Sequence, residues 1–84
     1  MRHVTPAGLD ELDGLLDALR TVPGLVERKR GVFYRRSRAF LHFHEDPTGL
    51  HADVRFAEEF ERCRVQSPAE QQALVDRVRA ALDG

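Results

Sequence analysis

AFLHFHEDPTGLHADVRF, residues 39–56, is the stretch on which the fold turns. Apolar and polar residues alternate on both sides of Asp46-Pro47-Thr48-Gly49, whose proline at the second position and glycine at the last spell a type I turn. The segment reads as a β-hairpin with strands at 39–45 and 50–56. Two registers compete. If Glu45 faces Leu50, then His44 faces His51, His42 faces Asp53 and Phe40 faces Arg55. The other face then carries Phe43 with Ala52 and Leu41 with Val54, a clean apolar side. If Asp46 faces Leu50 instead, the faces become mixed. Turn chemistry favours the second register, because a helical conformation immediately before proline is disfavoured. Burial of a coherent face favours the first, because a one-residue slip sends every side chain to the opposite face. The first register is preferred.

Upstream, Thr5-Pro6 is a cap followed by proline at the first helical position. Leu9, Leu12, Leu15, Leu16 and Leu19 recur at helical spacing, predicting a helix over 6–20 that ends at Pro23-Gly24. Residues 25–30 and 32–36 are short β-prone runs around Gly31, either two tightly joined strands or one strand with a glycine bulge. Ser37 belongs to the turn entering the central strand. Downstream, residues 60–65 read as a strand with Glu61, Cys63 and Val65 on one face, although a helix over AEEFERC also fits. Ser67-Pro68-Ala69-Glu70 is a capping box, and Leu74, Val75, Val78, Ala81 and Leu82 form a helical stripe over 68–83. The expected fold is a single α+β domain over 1–84. It has an N-terminal helix, an antiparallel sheet of three to five strands and a C-terminal helix, with both helices on one face as a two-layer sandwich.

Composition narrows the classes. With 42% hydrophobic and 32% charged residues the chain has the make-up of an ordinary globular domain rather than a disordered one. A net charge of −1 provides no global attraction to nucleic acid or membrane. A single cysteine excludes an intrachain disulfide and a cysteine-rich zinc site. Neither a signal-peptide apolar run nor a membrane-spanning stretch is seen, so a cytoplasmic location is expected.

In the preferred register His42, His44, His51 and Asp53 share the face turned away from the helices. Two imidazoles at i, i+2 on a strand point the same way, and a cross-strand third completes a plausible set for Zn²⁺ or another divalent transition metal, with Asp53 orienting one ring. The plain alternative is a solvated sheet face. Arg28, Lys29, Arg30, Arg35, Arg36 and Arg38 interleave with Phe33 and Tyr34, a pattern that can contact phosphates and stack on bases. Pairing of these arginines with the acidic first helix, and protection of an edge strand, explain the run as well, and the balance of charge weighs against nucleic acid. Cys63 reads as a core residue whose thiol Arg62 and Arg64 would activate only if it were exposed. Glu45 and Asp46 read as loop carboxylates.

Residues 23–55 resemble the small bacterial proteins grouped under the name luciferase domain. The likeness rests on Pro23, Gly24, Phe40, His42, His44, Asp46, Ala52 and Asp53, about a third of the chain in span. This chain lacks the Gly-Trp stretch that should follow, and passes through one strand to its last helix. The resemblance implies neither light emission nor oxygen chemistry. A second likeness, to compact α+β domains of the MmcQ/YjbR type, concerns the fold alone. The expectation is a non-enzymatic binding domain without a resident cofactor, taking a protein or small-molecule partner or pairing with a second copy through a sheet edge or the histidine face. The alternatives are a metal-binding protein or metal-dependent enzyme, and nucleic-acid binding through residues 28–38.

Overall fold

The hairpin forms in the preferred register. In the computed structural model, which describes residues 2–83, β4 (Arg38–Asp46) and β5 (Gly49–Val54) pair with Glu45 opposite Leu50, His44 opposite His51, Phe43 opposite Ala52, His42 opposite Asp53 and Leu41 opposite Val54. Asp46 pairs with Gly49, so only Pro47 and Thr48 form the loop. The Asp46 carboxylate accepts from the Thr48 N–H at 2.8 Å and from its hydroxyl, a side-chain turn that closes the hairpin. Asp46 is therefore extended, as a residue before proline prefers, and the conflict between turn chemistry and burial disappears.

The remaining strands extend this pair. They are β1 (Arg2–His3), β2 (Leu25–Lys29), β3 (Val32–Arg35) and β6 (Glu61–Arg64). The antiparallel order is β2-β3-β4-β5-β6, with the two-residue β1 added to β4 beyond the end of β3. Residues 25–36 are thus two strands, not one bulged strand; Lys29 pairs with Val32 across a turn in which Gly31 has φ +81°. Residues 61–64 are strand rather than helix, with Cys63 opposite Ala52 on the apolar face. The C-terminal helix α3 (Pro68–Asp83) starts at a complete capping box: Ser67 N–H donates to Glu70 Oε1 at 2.9 Å and Glu70 N–H to Ser67 Oγ at 3.1 Å.

Two expectations need correction. The N-terminal helix is not continuous but divides into α1 (Pro6–Glu11) and α2 (Asp13–Arg20), interrupted at Leu12 (φ −100°, ψ 9°). Leu12 is fully buried, and Gly8 and Gly14 on either side lower the helix propensity that would resist a break. Thr5 caps α1 as expected, accepting from the Gly8 N–H at 3.1 Å. Phe40, placed by parity with the histidines, is instead buried in the core. The β3–β4 register shifts by one residue between Phe33–Leu41 and Tyr34–Ala39, which leaves Phe40 as the extra residue of a bulge, where strict alternation fails. Its ring packs edge-on against Phe56.

One core joins the two layers. Leu9, Leu12, Leu15, Leu16 and Leu19 from α1–α2 and Leu74, Val75 and Val78 from α3 cluster with Leu41, Phe43, Leu50, Ala52 and Val54 of the hairpin. All three helices therefore cover one face of the sheet and leave the histidine parity on the other. No helix among the described residues is long and apolar enough to cross a membrane.

Two glycines test this packing with opposite signs. A Cβ on Gly31 would sit 2.7 Å from Leu9 Cδ2 and at a left-handed φ, whereas one on Gly14 would meet nothing within 4 Å. Gly31→Ala is expected to destabilise by about 1–3 kcal/mol, and Gly14→Ala to stabilise by up to about 1 kcal/mol. Urea denaturation measures both, and a neutral Gly31→Ala would mean that β2, β3 and α1 do not meet as described.

Candidate metal site on the open sheet face

Strand alternation and the register build this site. His42 and His44 are two apart on β4, and the ladder places Asp53 of β5 opposite His42 and Arg62 of β6 opposite Asp53. Asp53 Oδ2 lies 3.1 Å from His44 Nε2 and 3.6 Å from His42 Nε2. One ligand atom from each of the three residues falls within 4.8 Å of the other two. Arg62 grips the same carboxylate with both ends of its fork, Nε to Oδ1 at 2.9 Å and Nη2 to Oδ2 at 3.0 Å. The side chains are sheltered, 28% exposed for His42, 16% for His44 and 11% for Asp53, against 48% for Arg62.

Electrostatics follow from that shelter. The Arg62 guanidinium holds the Asp53 carboxyl below its ordinary range, overcoming the upward push of burial. Burial, reinforced by neighbouring His44, pushes the His42 imidazole below its ordinary value, and Asp53 offsets this only in part. A neutral imidazole is the form that binds a metal.

His51 stands opposite His44 and Arg64, outside the three-residue group. Asp53 correspondingly contacts both His42 and His44 rather than orienting one ring. His3 was missed. Its pairing opposite His44 brings its ring into a stack on His44, with centroids 5.3 Å apart. A two-residue strand has no periodicity from which to be recognised. Phe60, from the loop after β5, packs edge-on against His42 and under the Arg55 guanidinium. On its outer edge β4 pairs with β3 up to Leu41 and with β1 from His44, and a cavity of about 370 Å³ lined by His3, His42, Tyr34 and Leu9 opens at the gap.

The basic run does not form one surface. Arg30 is held by Asp10 and Asp13, as the acidic-helix alternative anticipates, and Arg28 lies over the Tyr34 ring. Lys29 lines the cavity beside His42, while Arg35, Arg36 and Arg38 gather elsewhere. Cys63 faces α3, near Arg77 and Glu61, while Arg62 reaches Asp53 on the opposite face and Arg64 pairs with Glu70 at the start of α3. Burial, with Glu61, pushes its thiol up, away from the thiolate a nucleophile needs. Glu45 accepts the Thr5 N–H that starts α1, and Asp46 serves the turn. Comparison with known proteins returns no match to a family pattern, a curated protein or a solved structure.

The pH dependence of stability has a definite sign. Because its folded pKa is depressed, His42 contributes stability that is present above its unfolded pKa of about 6.5 and is lost as pH falls through the lower folded value. In EDTA-treated protein the urea midpoint is expected to drop between about pH 7 and pH 5, and His42→Gln to flatten that drop. An unchanged slope in His42→Gln would contradict the sheltered placement of this ring.

Proposed function

We propose that this chain is a small non-enzymatic binding domain whose working surface is the sheet face away from the helices, and that its ligand there is a divalent transition-metal ion such as Zn²⁺. One observation carries the reading: Asp53 Oδ2 stands close to both His42 Nε2 and His44 Nε2. Metal–ligand bonds of roughly 2.0–2.1 Å in tetrahedral geometry put neighbouring ligand atoms about 3.3–3.4 Å apart. The two nitrogen–oxygen separations of 3.1 and 3.6 Å bracket that value. A carboxylate oxygen has more than one lone pair, so Oδ2 can keep Arg62 and still face an ion. Arg62 then orients the ligand, as partners of ligating carboxylates do, while its charge weakens the site. Three protein ligands leave a fourth position open, and the cavity beside His42 gives a small ligand room to approach it.

The competing reading is that the same four side chains form a metal-free polar network, which the bidentate Arg62–Asp53 pair favours. Calorimetry of untagged, EDTA-stripped protein with Zn²⁺ separates the two. One equivalent is expected to bind, His42→Ala or His44→Ala to weaken it by roughly tenfold or more, and His51→Ala to leave it within about threefold. No heat, or an equal loss in His51→Ala, would favour the network and remove the metal.

A further inference from the structure

A second site lies at the turn between β3 and β4. Arg36 and Ser37 form this turn with φ +52° and +66°, and Arg35 and Arg38 pair across its mouth. Two consecutive left-handed residues define the tight turn that usually selects asparagine and glycine, yet an arginine stands here. The end of β5 reaches the same place: Arg55 N–H donates to Phe40 O at 2.8 Å. Arg35, Arg36, Arg38 and Arg55 together line a pocket of about 190 Å³, with Phe40 and Phe56 as its apolar part. The Arg55 guanidinium lies over the Phe60 ring, and its buried Nε has no acceptor in the structure.

Among the described residues no carboxylate forms an ion pair with any of these four arginines, whereas Arg20, Arg30, Arg62, Arg64 and Arg77 each hold one. Acidic residues are not scarce, with 14 against 13 basic ones. Four like charges gathered round one pocket repel each other, and an oxyanion entering it would relieve that repulsion. Guanidinium forks match phosphate oxygens two at a time. We propose that this pocket binds the phosphate-type group of a small phosphorylated molecule. Its volume lies below the roughly 300–1,000 Å³ of pockets that enclose a whole small molecule, so it takes the charged group and leaves the remainder outside. A nucleic-acid strand is the less favoured occupant, because Asp10 and Asp13 neutralise Arg30, which interrupts the basic run.

Inorganic pyrophosphate titrated into ¹⁵N-labelled protein at low ionic strength, read at the arginine Nε–Hε resonances, tests the site. Saturable shifts at Arg35, Arg36, Arg38 and Arg55 are expected. Arg38→Gln and Arg55→Gln should each weaken binding by roughly tenfold, and Arg28→Gln by less than about twofold. If Arg55→Gln loses the folded spectrum, the exposed Arg38→Gln decides alone. Absence of saturation, or equal losses in Arg28→Gln and Arg38→Gln, would overturn the site as diffuse charge. Tighter binding of a single-stranded oligonucleotide, with shifts spreading to Arg28 and Lys29, would overturn the small-molecule occupant.

Discussion

Everything in this domain depends on the pairing of Glu45 with Leu50. That one register sends Leu41, Phe43, Leu50, Ala52 and Val54 to the helices and His42, His44 and Asp53 to the opposite face. A slip by one residue would put the Ala52 and Val54 parity opposite the histidines and break up both the core and the site. Stability and candidate chemistry therefore share a cause. The burial that fixes the register lies on one face, and the polar groups on the other face inherit their positions from it.

The polar face is tuned by its sheltered setting. Asp53 is nearly buried and would be costly unpaired, and Arg62 satisfies it through two charge-assisted bonds. That pairing leaves the carboxylate ionised beside two imidazoles, one of which, His42, burial keeps toward its neutral form. An ionised carboxylate and neutral imidazoles are what a transition metal requires, and they are also what a proton-poised polar network contains. Arg62 is the residue on which these readings divide.

Much of this was legible in the residues. The Thr5-Pro6 start, the Ser67–Glu70 box and the α3 limits follow from capping chemistry that acts within four residues. The hairpin faces follow from alternation over six paired positions. What escaped depends on contacts remote in sequence or on broken alternation. The interruption at Leu12 answers to burial against the sheet, and Phe40 turns inward because a bulge suspends parity. His3 reaches the site through a strand too short to show a pattern, and Asp53 meets Arg62 only once β6 is docked. Arg55 belongs to an arginine cluster whose other members lie almost twenty residues upstream, a grouping that only the end of β5 creates.

Backbone proton contacts across the hairpin test the register most directly. Arg55 N–H donates to Phe40 O, and Asp46 pairs with Gly49 around a two-residue loop. Hydrogen-bonded and non-hydrogen-bonded pairs alternate along an antiparallel ladder, and the non-hydrogen-bonded ones bring Cα atoms to about 4.5 Å. In an NMR spectrum the close Hα–Hα contacts are expected between Glu45 and Leu50, Phe43 and Ala52, and Leu41 and Val54. Contacts between Phe43 and Asp53, or His44 and Ala52, would show the slipped register and dissolve both the core and the His42–His44–Asp53 site.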